Sequence, residues 1–280
     1  CDWSSDVCSS DLLIAAFTQR FAHVPDLSWD FINEPSATSP ARVWSMRPNY
    51  DAHEQRAWQK WLKEQEAHFS PEEQEALHSE EVWRERWRLS GNDALSLPDL
   101  RDFQDEHIHQ GTHPLRALTY RLFAQRVFAD WAEAMASAVR SNGNPVQRIT
   151  VGQDEGGIWD RPNTHFFADS VDFTTNHTWW QNDDLLWDSI ITKPPHKPNV
   201  SQETGIMFYE KVDGTHWRTP EDAARLLSRK LALAFAGGCA GAIQWLWNTN
   251  IYMDSDNEVG IGFHRADGTE KPELEVFRGI

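Results

Sequence analysis

The chain has 280 residues, enough to bury a full-sized core in one domain or in one domain with an insertion. Its formal net charge of -17 argues against nucleic acid, an anionic membrane or a polyanionic substrate as a partner, and favours a neutral substrate. Tryptophan is unusually abundant, at 15 residues. Because flat apolar sugar faces stack on indole rings, this content favours a carbohydrate-binding groove over a purely structural role. No apolar run reaches the roughly 20 residues that span a bilayer.

The first twelve residues, CDWSSDVCSSDL, have neither a helical nor a strand period. The string DWSSDVCSSDL within them is the translation of a common short-read sequencing adapter. We therefore expect residues 1–12 to be non-native and the chain to be a fragment whose own N-terminus is missing. Cys1 and Cys8 are then artefacts, and Cys239 is left as a buried small residue with no disulfide framework. The compartment stays undetermined, with a secreted or periplasmic location favoured over the cytoplasm.

The first part of the chain predicts a helix, a strand and a long insertion. Apolar residues at three- and four-residue steps predict an amphipathic helix over 12–23. Residues 27–32 (LSWDFI) predict a short strand, and Asn33-Glu34-Pro35 follows it directly. Residues 36–113 are too long for an ordinary connection. They predict an inserted, Trp-rich, largely helical subdomain, with helices at 51–69 and 71–89.

The rest of the chain alternates strands with helices, which argues for a parallel sheet. A doubly wound open sheet would alternate in the same way, but it normally carries a Gly-rich phosphate loop that this sequence lacks. Polar and aromatic residues cluster at the predicted carboxyl ends of the strands, as in a (β/α)8 barrel. The remaining strands are predicted at 148–152, 171–177, 199–202 and 241–247, and the remaining helices at 114–141, 220–236 and near Pro272.

Two glutamates lie at predicted strand ends, Glu34 and Glu203. A retaining glycosidase needs two carboxyl groups roughly 5 to 5.5 Å apart across the scissile bond. One of them must be protonated and the other ionised. In a closed barrel the ends of strands that are far apart in sequence meet around the axis. Each glutamate alone is equally consistent with an exposed loop carboxylate, so the prediction depends on their order and on the strand alternation.

With these motifs the chain resembles the clan A glycoside hydrolases, the cellulase, mannanase and β-galactosidase-like enzymes that share a (β/α)8 barrel. These enzymes place catalytic glutamates after strands four and seven. The strand-four motif stands here as residues 30–35 (DFINEP), and the strand-seven motif as residues 201–205 (SQETG). The resemblance implies that Glu34 is the acid/base and Glu203 the nucleophile. It also implies that Asn33 hydrogen-bonds the 2-hydroxyl of the sugar.

The same resemblance implies further substrate-binding residues. His177 and Trp179 occupy the place after strand six where a His and an aromatic residue often lie, with Trp where Tyr is common. A Trp after strand eight often floors the subsite, and Trp245 and Trp247 both qualify. We favour Trp247 because it is nearer the rim.

If residues 27–32 are strand four, the chain holds strands four to eight of an incomplete barrel. Residues 13–280 then form the C-terminal part of the catalytic domain, with residues 36–113 as the insertion. Strands one to three would lie upstream. We therefore expect this fragment, made as written, to be poorly soluble and inactive.

Other polar clusters have two interpretations each, and neither a metal nor a cofactor is predicted. Residues 153–155 (QDE) could contact substrate or form a plain polar loop. The histidines at 107, 109 and 113 lack a metal-ligand spacing and accompanying cysteines. Residues 182–184 (NDD) lack the full EF-hand pattern, and a capped helix start is favoured over a calcium loop.

Three functions are consistent with the sequence. The first is hydrolysis of β-linked oligosaccharides or polysaccharides, such as a β-glucan, a β-mannan or a β-galactoside, with net retention. The second is a non-catalytic carbohydrate-binding barrel, which a carboxyl separation well beyond about 10 Å would favour. The third, an aldolase-like barrel, needs an inward lysine on a strand, whereas Lys193 and Lys197 flank Pro-rich loop positions.

Overall fold

The structure is a computed structural model, and it divides the chain into two compact units. No helix in the described ranges is both long enough and apolar enough to cross a membrane. The structure describes residues 9–35, 47–76, 78–91, 93–103, 110–154, 161–178, 184–207, 213, 215–252 and 260–280.

The first unit comprises residues 1–24, 36–144 and 160–162, and its described elements are helices. The carboxylate of Asp51 begins the second helix by accepting hydrogen bonds from the backbone N–H groups of His53 and Glu54, both at 2.8 Å. The helices are α1 (Ser9–Arg20), α2 (Ala52–Gln65), α3 (Pro71–Ala76), α4 (Ser79–Trp87) and α5 (Pro114–Asn142).

Tryptophan forms the core of this unit. Trp58 is fully buried, and its ring stacks on Trp61 and Trp87 with centroid distances of 5.7 and 5.8 Å. Trp83 packs on Trp87 at 5.1 Å, and the Trp87 indole N–H donates to Thr119 Oγ1 at 3.0 Å. These indoles act through apolar burial and ring packing. This part of the Trp content therefore has a structural explanation, against the expectation that it marks a sugar-binding groove.

The second unit comprises residues 25–35, 145–159 and 163–280. Its short helices α6 (Thr164–Phe167) and α7 (Asp184–Thr192) precede α8 (Pro220–Ala236), and α9 (Pro272–Arg278) follows. The described strands are parallel, and β1 pairs with β2, β3 with β4, and β4 with β5. They are β1 (Ser28–Asn33), β2 (Arg148–Gly152), β3 (Thr174–Thr178), β4 (Asn199–Thr204) and β5 (Gly241–Gln244).

Side-chain hydrogen bonds join the β1–β2 pair to the other three strands. Thr175 Oγ1 in β3 donates to the carbonyl of Val151 in β2 at 2.5 Å, and it accepts from the N–H of Gln153 at 2.9 Å. The spatial order among the described residues is thus β1, β2, β3, β4, β5. The middle strands are largely buried, whereas Ile32 in β1 and Ile243 in β5 are 39% and 54% exposed.

Most predicted helices and strands are present, but several begin or end at other residues than predicted, where tertiary contacts determine their ends. The helix predicted over 71–89 is two helices, because His78 has an extended backbone (ψ 148°) and its N–H donates to the Glu81 carboxylate at 3.1 Å. The predicted strand at 171–177 begins only at Thr174, after a 3-10 turn that ends at Ser170. The last strand ends at Gln244 rather than at 247. The helix predicted over 220–236 is confirmed, with Thr219 Oγ1 accepting from the Asp222 N–H at 3.1 Å.

Leu227 tests the packing of α8, because it is fully buried in a cluster with Ile206, Ala223 and Leu231. Leu227→Ala should lower the free energy of unfolding by about 2–5 kcal/mol, since it removes buried methyl groups and leaves a cavity. Phe235→Ala is the control on the same helix, where the side chain is exposed, and should cost less than about 1 kcal/mol. Urea unfolding measures both. Equal losses would contradict the packing described here.

Candidate active site

Glu34 lies directly after β1, where the backbone leaves the strand. Its φ of 50° is in the left-handed region, which non-glycine residues rarely adopt without support from their surroundings. The support is visible: the N–H of Glu34 donates to the carbonyl of Gly152 at 2.7 Å. The Glu34 side chain is 23% exposed. Its carboxylate is therefore accessible while its backbone is held against β2.

Glu203 lies inside β4, opposite His177 of β3. The register between these strands shifts between Asn176 and His177, and the β4–β5 register shifts between Ser201 and Thr204. Such irregularities re-aim side chains at strand ends. The Glu203 side chain is 13% exposed and that of His177 is fully buried.

The imidazole of His177 brings the two glutamates together. His177 Nδ1 lies 3.0 Å from Glu34 Oε1 and 3.7 Å from Glu203 Oε2. The distance between these two oxygens therefore cannot exceed the sum of the two, about 6.7 Å. Two carboxylates this close can act on one bond, and the bound admits the roughly 5 to 5.5 Å separation of retaining glycosidases.

The charge of His177 depends on these neighbours. Burial lowers the pKa of the imidazole, but the hydrogen bond to Glu34 and the negative charges of Glu203, Glu34 and Asp154 outweigh it, so the pKa of His177 is raised. A protonated imidazole compensates the carboxylates around it. The buried His177 and the partly exposed Glu34 and Glu203 thus form a charge network.

Asp154 extends this network from the end of β2. It is buried, and its carboxylate lies within 4.8 Å of ligand atoms of both Glu34 and His177. Two carboxylates and an imidazole are groups that hold zinc in proteins. The His177 imidazole also lies 3.7 Å from Glu203 Oε2, and the charge of Asp154 helps to raise its pKa, so we assign Asp154 to the electrostatics of the site. Asp154 thus lies beside Glu34 and His177, whereas the N–H of Gln153 donates to Thr175 Oγ1 and Glu155 lies outside the described residues. Substrate contact by residues 153–155 stays a prediction.

A buried lysine fixes the strand ends behind the glutamates. Lys230 of α8 is fully buried, and its ammonium donates to the carbonyls of Thr178 at 2.6 Å and Gly205 at 3.0 Å. Thr178 directly follows His177, and Gly205 lies two residues after Glu203. The lysine is a hydrogen-bond donor on a helix, and not the inward strand lysine that an aldolase-like barrel needs.

Asp30 and Gln202 were not singled out by the sequence, and both lie at the site. Gln202 Nε2 donates to Asp30 Oδ2 at 2.5 Å, and the N–H of Gly152 donates to Asp30 Oδ1 at 2.7 Å. Burial raises the pKa of Asp30, although the hydrogen bonds from Gln202, Gly152 and Ile32 and the charge of His177 oppose the rise. The only sequence signal is position, since Asp30 lies in the motif of Glu34 and Gln202 in that of Glu203.

Three other predicted binding residues lie at or after the ends of β1 and β5. Asn33 is exposed at the end of β1. Trp245 follows β5, packs against Met207 and Ile261, and has a cis peptide bond to Leu246. Trp247 is 65% exposed. The strand β5 ends at Gln244, so Trp245 and Trp247 both lie after the strand rather than on it. Trp179 lies outside the described residues.

The structure also places most of the residues from the other polar clusters, the cysteine and the two loop lysines. His113 precedes α5, and the histidines at 107 and 109 lie outside the described residues. Asp184 begins α7, as expected for a helix start, whereas residues 182 and 183 lie outside the description. Cys239 is buried as predicted and its sulfur accepts from the Ser201 N–H at 3.2 Å. Lys197 donates to the carbonyl of Val171, and Lys193 lies against Gly238.

No protein-family model matches the chain, and no curated protein matches it. Solved structures do match in fold. The β-galactosidase of the Antarctic haloarchaeon Halorubrum lacusprofundi superimposes with a TM-score of 0.66 at 14% identity, covering 96% of this chain and 40% of that one. The β-galactosidase of the psychrophilic Marinomonas ef1 gives a TM-score of 0.66 at 12% identity, with 96% and 41% covered. A GH42 β-galactosidase from G. stearothermophilus gives 0.63 at 14%, with 96% and 38% covered.

These likenesses concern the fold. The chain has an α/β fold that matches part of the barrels of glycoside hydrolases, and it spans about 40% of the length of the structures it matches. The fold expectation is confirmed at this level.

Gly152 tests how closely β2 approaches Asp30. A Cβ at this position would lie 2.7 Å from Asp30 Oδ2 and 3.0 Å from the carbonyl oxygen of Ile32. Gly152→Ala should therefore destabilise the protein by about 1–3 kcal/mol, because the backbone cannot give way. The matched control is Gly241→Ala in β5, where nothing lies within 4 Å of the new methyl group, and its effect should stay within about 0.5 kcal/mol. Similar losses in urea unfolding would contradict this geometry.

His177 should make stability depend on pH. Its pKa is raised in the fold, so its contribution is complete below the ordinary value of about 6.5 and is lost as the pH rises through the folded value. The difference in unfolding free energy between wild type and His177→Gln should therefore fall as the pH rises from 6 to 9. Urea unfolding across this range measures it, with the exposed His196→Gln as control. A difference that is flat or grows with pH would refute the charge network.

Proposed function

We propose that the protein is a retaining glycoside hydrolase that cleaves β-glycosidic bonds by double displacement. Glu34 acts as the acid/base and Glu203 as the nucleophile. The observation that carries this proposal is the convergence of both carboxylates on one imidazole nitrogen, at 3.0 and 3.7 Å. The fold likeness to three β-galactosidases supports it independently.

The proposed architecture follows from the strand order. We take β1 to β5 as strands four to eight of a (β/α)8 barrel, with residues 36–113 as an insertion after strand four. The parallel order and the exposed side chains of the two outer strands support this correspondence. The matched structures are more than twice as long as this chain, which leaves room for the first three strands in a complete protein.

The reaction has two steps in this proposal. A carboxylate oxygen of Glu203 attacks the anomeric carbon while the glycosidic C–O bond breaks and Glu34 gives its proton to the leaving oxygen. Glu34 then removes a proton from water, whose oxygen attacks the same carbon and releases Glu203. His177 contacts both carboxylates and holds them at a fixed separation through either step.

The alternative function is a non-catalytic carbohydrate-binding barrel. It predicts glutamates that do not converge, at a separation well beyond about 10 Å. The oxygens of Glu34 and Glu203 lie within about 6.7 Å, as their distances to His177 require. The buried Trp58, Trp83 and Trp87 also weaken the argument for an extended Trp groove.

A β-galactoside is the proposed substrate class, because the matched structures named above are β-galactosidases. Aryl β-galactoside, β-glucoside and β-mannoside, followed by the corresponding oligosaccharides, form the panel that tests it with the full-length protein. Faster hydrolysis of the glucoside or mannoside would reject the galactoside while leaving the mechanism intact.

The two glutamates can be told apart by azide rescue. Glu203→Ala should abolish turnover of an activated aryl β-glycoside, and azide should restore it with an α-glycosyl azide as product, because azide enters from the side vacated by the nucleophile. Glu34→Ala should lower activity by about 10²- to 10⁴-fold. Azide should then give the β-glycosyl azide, since the covalent intermediate still forms. NMR identifies the anomers.

Glu221→Ala, an exposed carboxylate in the first turn of α8, is the control and should retain wild-type turnover. Undiminished activity in Glu203→Ala, or the same anomer from both variants, would refute the assignment of roles.

A further inference from the structure

A hydrogen bond between side chains crosses between the strands that carry the two glutamates. Asp30 belongs to β1 with Glu34, and Gln202 belongs to β4 with Glu203. These strands are not neighbours, because β2 and β3 lie between them. The amide of Gln202 nevertheless donates to Asp30 Oδ2 at 2.5 Å. We propose that the Asp30–Gln202 pair is a cross-barrel link that positions the two catalytic carboxylates, an inference that rests on the proposed function.

Two backbone N–H groups hold the carboxylate of Asp30 in place. Its Oδ1 accepts from the N–H of Gly152 at 2.7 Å and from that of Ile32 at 3.3 Å. These bonds fix the carboxylate to β2 and to its own strand, so Oδ2 is directed across the sheet to β4. A hydrogen bond to a charged acceptor is about twice as strong as a neutral one. The link therefore restrains β1, β2 and β4 at one point.

Glycine makes this link sterically feasible. At Gly152 a side chain would fill the space between the partners, since its Cβ would lie 2.7 Å from Asp30 Oδ2 and 3.2 Å from Gln202 Oε1. The three residues form one unit: the glycine leaves room, the aspartate accepts and the glutamine donates.

The link lies where the strands depart from regular pairing. The β1–β2 register shifts between Asp30 and Asn33, and the β4–β5 register shifts between Ser201 and Thr204. Irregular pairing leaves the strand ends less constrained by backbone hydrogen bonds. A side-chain restraint at this level is then what keeps Gln202, and with it Glu203, at a constant distance from β1. A misplacement of about 1 Å at reacting groups can cost about 10²-fold in rate.

Reversing the polarity of the bond tests the link. Gln202→Glu puts a second carboxylate against Asp30, and two carboxylates at this distance cannot both be ionised at neutral pH. This variant should lose about 10²-fold in kcat with KM changed less than about threefold, and should partly recover below pH 5. In the double variant Asp30→Asn/Gln202→Glu, the new amide donates to the new carboxylate and still accepts from Gly152 and Ile32. Its kcat should return to within about tenfold of wild type at the same net charge.

If the Asp30–Gln202 pair only stabilised the fold, the Gln202→Glu variant would behave differently. Its unfolding temperature would fall, but kcat, KM and the pH profile of the folded enzyme would stay unchanged. That outcome, or a double variant no more active than the single one, would overturn the proposal. If Gln202→Glu does not fold, Gln202→Leu takes its place, since it removes the donor without adding charge and should show the same loss of kcat at unchanged KM.

A measurement without substrate separates this inference from the proposed function. The pKa of His177, followed by NMR of its imidazole, reports on both glutamates directly. It should shift in Gln202→Glu and return in the double variant. If the full-length wild type hydrolyses no glycoside while these shifts occur, the function fails and the link stands. If wild type is active and the pKa of His177 is the same in all variants, only the link fails.

Discussion

The rest of the site depends on a fully buried imidazole held between two carboxylates. Desolvation of His177 is unfavourable for its charged form, and the hydrogen bond to Glu34 together with the opposite charges of Glu203, Glu34 and Asp154 reverses that preference. These groups come from four consecutive strands in space, so the contact exists only if the strands run parallel and end at one level. Lys230 fixes the same level from behind, through the carbonyls at the ends of β3 and β4. The charge network therefore depends on the parallel strand topology.

Much of the secondary structure could be predicted because local physics determines it. The helix Pro220–Ala236 has a Thr cap, a proline in its first turn and an apolar face, all visible in the sequence. Element ends decided by tertiary contacts could not be predicted. Glu203 lies within β4 rather than after it, because β4 continues to pair with β3 and β5 as far as Thr204. The high Trp content of the chain favoured a sugar-binding groove because composition alone does not distinguish a buried indole from an exposed one, and Trp58 proves to be core.

The sequence likewise indicated some residues of the candidate site and not others. Motif order indicated Glu34, Glu203 and His177, because residues at the carboxyl ends of parallel strands meet. Asp30, Gln202 and Lys230 gave no such signal. Their roles depend on which groups face them from other strands, and that follows from strand register and from the space left by Gly152. The sequence pattern of one strand does not by itself fix that register, because register also depends on the partner strand.

The central claim is that Glu203 forms a covalent bond to the sugar, and trapping tests it most directly. The full-length protein would be treated with a 2-deoxy-2-fluoro glycoside bearing a dinitrophenyl leaving group, in the sugar series that it hydrolyses fastest. The account predicts time-dependent inactivation and a mass increase of one fluoroglycosyl group on the peptide that contains Glu203. A label on Glu34 or on another carboxylate, or hydrolysis with inversion and no label, would contradict it.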